Sequence, residues 1–205
     1  MQRDVLGELS CLVRRSRPGA PVLVALHGRG ASAEDLADLG DVIDPELAQV
    51  YPDAPRPWPA RGPVGLCWYD SGPDRKAEIA DSRAKLGRTL AAVRTSVSDG
   101  PLILLGFSQG ALMTMDTGLR EGSPARALVA LSGYLDEDVG GPASPPLLLV
   151  HGTVDDVVPV EKGRDAKARL EARGVRVTYR EFHMAHEIRP EVVRAITQFV
   201  KEALG

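Results

Sequence analysis

An α/β fold, with a mostly parallel sheet and helices on both faces, is predicted by three observations. Short, unbroken apolar runs recur along the chain, each stops at a turn carrying glycine, and helical patterns fill the intervals between them.

The runs can be taken in order. Residues 21–26 are nearly all apolar and rich in valine, and they end at His27-Gly28, as a strand covered on both faces should. Residues 33–39 follow as a helical candidate. Residues 51–65 hold Pro52, Pro55, Pro57, Pro59 and Pro63 together with Trp58, and read as an ordered surface loop of the kind that often borders a site. In residues 76–97, Ile79, Leu86, Leu90 and Val93 recur at helical spacing, leaving Arg83, Lys85, Arg88 and Arg94 for the wet face. The run 102–105 ends at Gly106 and leads into a helix over 109–120. Residues 127–131 end at Ser132-Gly133, and 147–150 end at His151-Gly152 ahead of a helix over 160–172. Residues 175–182 alternate Val175, Val177 and Tyr179 with Arg176, Thr178 and Arg180, which suits a less covered strand near an edge, and a helix over 190–203 closes the chain. Ligands of such a sheet sit at the carboxyl ends of its strands.

Bulk properties narrow the function classes. The 205 residues, 43% apolar and 26% charged, fit a single domain spanning 1–205, and a net charge of −3 without a basic stripe argues against nucleic acid as a partner. Cys11 and Cys67 form neither a disulfide framework nor a metal-ligand pattern, so reduced thiols in a cytoplasm are the simplest reading. Residues 1–17 lack the apolar core of a signal peptide, and no apolar run approaches the roughly 20 residues of a membrane span. The sequence is compatible with a homodimer but shows no heptad pattern that would demand one.

Gly106-Phe107-Ser108-Gln109-Gly110 has the form of a nucleophile elbow, a sharp strand-to-helix turn that exposes a serine. The bare pattern is weak, and a glycine-rich turn would explain its glycines. Its context is the required one, because an apolar run precedes it and a helical pattern follows. A serine hydroxyl needs a base, and the base needs an orienting carboxylate, which in this setting follow along the chain in the order acid, then histidine. His151 precedes the only acid-bearing strand end, which is the wrong order. His186, just before the last helix, is better placed than His183, whose simpler reading is a structural hydrogen bond at the end of a strand. The acid is Asp155 or Asp156, which spacing alone does not separate. Donors for the oxyanion are expected from the backbone N–H groups of Gln109 and of Arg29, the latter in the loop His27-Gly28-Arg29-Gly30. His27 itself is expected to lock that loop by hydrogen bonds.

These residues resemble the phospholipase/carboxylesterase group of α/β hydrolases, which includes acyl-protein thioesterases and bacterial carboxylesterases. The likeness covers most of the chain and rests on Leu26-His27-Gly28-Arg29-Gly30, Trp68-Tyr69-Asp70, Gly106-Phe107-Ser108-Gln109-Gly110, Leu131-Ser132-Gly133, His151-Gly152-Thr153-Val154-Asp155 with Val158-Pro159, and Met184-Ala185-His186. It implies the α/β-hydrolase fold, a Ser108–His186–Asp155 triad and an oxyanion site completed by Gln109, and it selects Asp155 over Asp156. Ala185 departs from the glycine usual before the histidine. Arg29 replaces the apolar residue of the thioesterase branch, and a cation there would favour an anionic acid or leaving group, or else point into solvent.

Only about fifteen residues separate the runs ending at Leu131 and starting at Leu147, too few for a helical cap, so an open site is expected. The activity expected is serine carboxylesterase action on soluble, short-chain esters, with no metal and no cofactor. Trp68 and Tyr69, with Trp58 behind them, are candidates for substrate binding, the alternative being that such large aromatics belong to the core. A thioesterase or lysophospholipase would use the same residues. A dienelactone-hydrolase-like enzyme would be expected to carry cysteine at position 108, and a silent binding protein would have no need of serine, histidine, acid and oxyanion loop together.

Overall fold

The computed structural model describes residues 1–58 and 65–205; Pro59 and Pro63 of the proline-rich stretch lie outside them. The chain begins with a hairpin of β1 (Gln2–Leu6) and β2 (Leu9–Arg14), followed by β3 (Val22–Leu26). Residues 33–36 form a 3₁₀ turn, and the chain continues through α1 (Leu39–Ile43), β4 (Ala48–Pro52), the short strands β5 (Arg56–Pro57) and β6 (Leu66–Cys67), and α2 (Arg75–Ser96). Then come β7 (Leu102–Phe107), α3 (Gln109–Gly118), β8 (Ala125–Leu131), β9 (Leu147–Gly152), α4 (Val160–Ala172), β10 (Val177–Phe182) and α5 (Pro190–Leu204).

Among the described residues, an eight-stranded sheet runs in the order β1-β2-β4-β3-β7-β8-β9-β10. The hairpin and the β2–β4 pair are antiparallel, and every pair from β4 to β10 is parallel. Order reverses around β3, so the segments leaving β3 and β7 open a crevice at their carboxyl ends, where such a sheet receives ligands.

The apolar runs are strands because both their faces are buried. Val22, Val24 and Leu26 join the layer under α2, α3 and α4 with Leu86, Leu90, Leu112 and Leu170, while Leu23 and Ala25 join the opposite layer with Ile43, Val192 and Ile196. Successive side chains alternate between the layers, as the period of a strand requires. β10 lies at the edge, and its residues are mostly half-buried, as its alternation foretold. Between β8 and β9 the chain makes only bends and turns, so no cap is inserted there.

Two local readings differ from observation. The helix expected over 33–39 is split: Ser32 donates both its N–H (2.9 Å) and its hydroxyl (3.1 Å) to Asp35, closing a short turn, and α1 starts afresh at Leu39. Gly40 lies so close to Gln49 and Tyr51 that an added Cβ would come within 2.5 Å of the glutamine side chain, and this contact sets where α1 packs. Tyr51 and Pro52, read as loop, belong instead to β4, all of whose residues are buried. Among the described residues no helix is long and apolar enough to cross a membrane.

Candidate active site

Ser108 sits between β7 and α3 at φ 57° and ψ −117°, a left-handed conformation that a side chain rarely adopts. The turn is that sharp because the backbone is packed on itself. A Cβ at Gly106 would lie 2.1 Å from the Gly110 carbonyl oxygen, and one at Gly110 would lie 2.1 Å from that of Leu26. Only glycine fits at either place. Gly110→Ala is expected to cost about 3 kcal/mol, at the upper end for overpacking because the obstacle is backbone. Urea unfolding measures it, and a midpoint within error of the parent's would disprove this account of the turn.

The Ser108 hydroxyl lies 2.9 Å from His186 Nε2, and His186 Nδ1 lies 2.8 Å from Asp155 Oδ2. His186 leaves the segment between β10 and α5, and its ring packs on Phe107 at 4.7 Å between centroids. The other carboxylate oxygen, Asp155 Oδ1, accepts the N–H groups of Val157 (3.0 Å) and Val158 (2.8 Å). An ionised carboxylate only accepts, so the network assigns the proton to His186 Nδ1 and leaves Nε2 to accept from the serine. Asp155 is buried and Asp156 exposed.

Burial pushes the Asp155 pKa up, but His186 and the N–H groups of Val158 and Val157 outweigh it and hold the carboxyl below the ordinary range. A depressed pKa adds stability that is present above the unfolded value, about 3.9, and is lost as pH falls through the native one. The melting-temperature gap between wild type and Asp155→Asn should therefore be full near pH 7 and shrink below about pH 4. Thermal scans across that range check it, and a gap that widens in acid would contradict the sign.

The loop after β3 reaches the elbow directly. A Cβ on Gly28 would stand 3.3 Å from that of Ser108. Among the described residues neither the Arg29 nor the Gln109 backbone N–H meets an acceptor, so both remain available beside the serine. His27 locks the loop: Nδ1 donates to the Gly28 carbonyl (2.7 Å) and Nε2 accepts the Ala54 N–H (3.0 Å). Burial lowers its pKa, consistent with this neutral tautomer. His151 is wholly buried, and its Nε2 donates to the Val158 carbonyl (2.8 Å), tying together the two ends of the loop that carries Asp155. His183 is exposed and lies 3.4 Å from the Thr153 hydroxyl, away from Ser108.

Trp68 and Tyr69, expected to contact substrate, lie in the core. They are only 0% and 2% exposed and do not line the cavity above Ser108. Both have framework tasks. The Trp68 indole donates to the His27 carbonyl (2.9 Å), and its N–H donates to Gln109 Oε1 (3.0 Å). Gln109 Nε2 donates to the Tyr69 carbonyl (2.7 Å), and the Tyr69 hydroxyl meets that of Tyr134. The Trp68 indole N–H is spent on the backbone that shapes the site and the Tyr69 hydroxyl on a neighbouring side chain, while both rings join the core.

The cavity of about 620 Å³ is lined by Arg29, Trp58, Phe107, Val157 and Ile188 together with Ser108 and His186. Trp58 comes from the proline-rich stretch, which does border the site. Phe107, Val157 and Ile188 were not singled out in the sequence. Phe107 stood inside the quoted elbow motif and Val157 beside the quoted acids, where adjacency to serine and acid was a usable signal.

A family model described as Phospholipase/Carboxylesterase matches residues 9–204. Among curated relatives, Lysophospholipase-like protein 1 of Mus musculus is 27% identical, with 87% of this chain and 84% of the relative covered. Acyl-protein thioesterase 1 of Kluyveromyces lactis is 26% identical, with 93% and 95% covered. Among solved structures, esterase PE8 superposes with a TM-score of 0.84 at 30% identity, covering 96% of this chain and 99% of that one.

Proposed function

Since the chain belongs to the phospholipase/carboxylesterase family of α/β hydrolases, which act on ester bonds, we propose that it is a serine carboxylesterase of soluble, short-chain esters. The observation that carries this reading is the unbroken relay Asp155–His186–Ser108, set at a strained elbow.

Ser108 Oγ attacks the ester carbonyl carbon while His186 Nε2 takes the hydroxyl proton. The resulting oxyanion is received by the N–H groups of Arg29 and Gln109, each worth about 2.7 to 4 kcal/mol where such a donor is well aimed. Asp155 holds the ring and stabilises the imidazolium. Collapse of the intermediate expels the alcohol, which leaves with the proton from His186. Water, deprotonated by the same nitrogen, attacks the acyl-serine and frees the acid and the enzyme.

The uncapped site supports short, soluble substrates taken without a lipid interface. We also read the chain as one domain, 1–205, and its buried free thiols, Cys11 and Cys67, fit a cytoplasmic setting. A thioesterase reading stands second, supported by the relatives named acyl-protein thioesterase. It shares the acyl-enzyme and differs only in leaving group.

Hydrolysis of p-nitrophenyl esters from acetate to decanoate, beside matched thioesters and a fluorophosphonate label located by mass spectrometry, tests the proposal. Label on Ser108 with fastest turnover of short esters supports it. Faster thioester cleavage moves the assignment to the second reading, and a sharp rate rise above a substrate's micellar concentration removes the short-ester one. A folded protein with neither turnover nor label is a binding protein.

A further inference from the structure

The chemistry proposed above uses only the backbone of Arg29 and leaves its side chain without a task. That side chain is exposed and borders the same cavity as Ser108 and His186. Its guanidinium carbon stands 4.9 Å from the centroid of the Trp58 ring, and Nη1 donates to the Ser71 hydroxyl at 3.2 Å. A guanidinium resting on an aromatic face is held in place while its in-plane N–H groups stay free to bind.

None of the described carboxylates comes within ion-pair distance of it, and residues 59–64, Pro-Ala-Arg-Gly-Pro-Val, contain no acid in their sequence. Two acids do border the cavity, Asp35 and Glu187. Asp35 is engaged by the N–H and hydroxyl of Ser32, and Glu187 by Arg189 at 2.7 Å. The arginine thus presents a positioned, unspent charge one side chain away from the N–H group proposed to bind the oxyanion.

We infer that Arg29 is a specificity residue that binds a carboxylate on the substrate, so that the preferred esters are anionic. This inference rests on the esterase reading and names its substrate class. A planar fork facing a carboxylate makes two charge-assisted hydrogen bonds, while a lysine offers a single point charge. Because the bound ester carbonyl and the guanidinium are separated by one arginine side chain, the carboxylate belongs a few atoms from the scissile bond. It can lie on the acyl side, as in monomethyl adipate, or on the alcohol side, as in carboxymethyl butyrate.

The test compares kcat/KM for each of those esters with its neutral counterpart, methyl hexanoate or propyl butyrate, in wild type, Arg29→Gln and Arg29→Lys. The readout is the anionic-to-neutral ratio, which divides out any change that a substitution makes to the oxyanion-binding backbone. Wild type should favour the anionic ester in one of the two arms, and that arm identifies the side carrying the charge. Arg29→Gln should lower that ratio by about tenfold, the factor expected of a charge-assisted hydrogen bond, with Arg29→Lys falling between. Added salt should lower the wild-type ratio as well. A ratio unchanged in Arg29→Gln, with neutral esters still hydrolysed, overturns the inference and spares the esterase reading. Loss of turnover for every ester, with no label on Ser108, overturns both.

Discussion

Replacing Ser108 by alanine is expected to lower kcat for a neutral ester by about 10⁴- to 10⁶-fold, the range seen when a triad nucleophile is removed. Stability should scarcely change. Among the described residues the Ser108 hydroxyl hydrogen-bonds only with His186, so its loss removes one hydrogen bond worth about 1 kcal/mol, and alanine bears the same backbone strain at φ 57°. Activity and folding are thereby separated. Turnover of p-nitrophenyl butyrate and a urea melt of the same sample measure both. Turnover within tenfold of wild type would exclude Ser108 as nucleophile, whatever the label shows.

Asp155→Asn is the second large effect, about 10⁴-fold in kcat by analogy with removal of the orienting charge in other triads. Three donors converge on Asp155, from His186 Nδ1 and from the N–H groups of Val157 and Val158. An amide has one acceptor oxygen. If that oxygen keeps the two backbone donors, its NH₂ faces His186, which must then carry its proton on Nε2 and cannot accept one from Ser108. If it faces His186, the loop loses its bonds and an NH₂ group is pressed against two N–H groups. The first arrangement disables the base and the second removes the charge that stabilises the imidazolium while disrupting the loop, so the Asp155→Asn/Ser108→Ala double variant should be scarcely slower than Ser108→Ala alone. A single variant within about tenfold of wild type would show that the orientation of His186 comes from elsewhere, with its Phe107 contact the first place to look.

The parallel strands were legible because burial on both faces writes an uninterrupted apolar run, as at Leu102–Phe107. The strands on the other side of β3 were not. In β2 the inward set Leu9, Cys11 and Val13 is blurred by Leu12 on the outward set, and β4 carries Gln49, a wholly buried polar residue. Gln49 is tolerated there because it donates to Asp41 and accepts from Tyr51, partners that only the folded chain brings near. The same limit applied at the site. Position ahead of the last helix singled out His186, but spacing does not separate two adjacent acids; the resemblance selected Asp155, and the loop's own N–H groups turn it inward. Aromatic residues were the least legible, since Trp68 and Trp58 differ in what surrounds them and not in their chemistry.

The glutamine that follows the serine shows how a signature can outlive the reaction it is used to recognise. Gln109 fastens α3 to the Trp68-Tyr69 segment through both polar atoms of its amide, while the proposed reaction calls on only its main chain. The letter at that position is therefore dictated by architecture. A descendant that lost Ser108 and all turnover would still be under pressure to keep Gln109, together with Gly106 and Gly110. Inheritance of the surrounding pattern would report kinship of shape, and the side chains at positions 108, 155 and 186 would carry the news of whether the proposed chemistry survived.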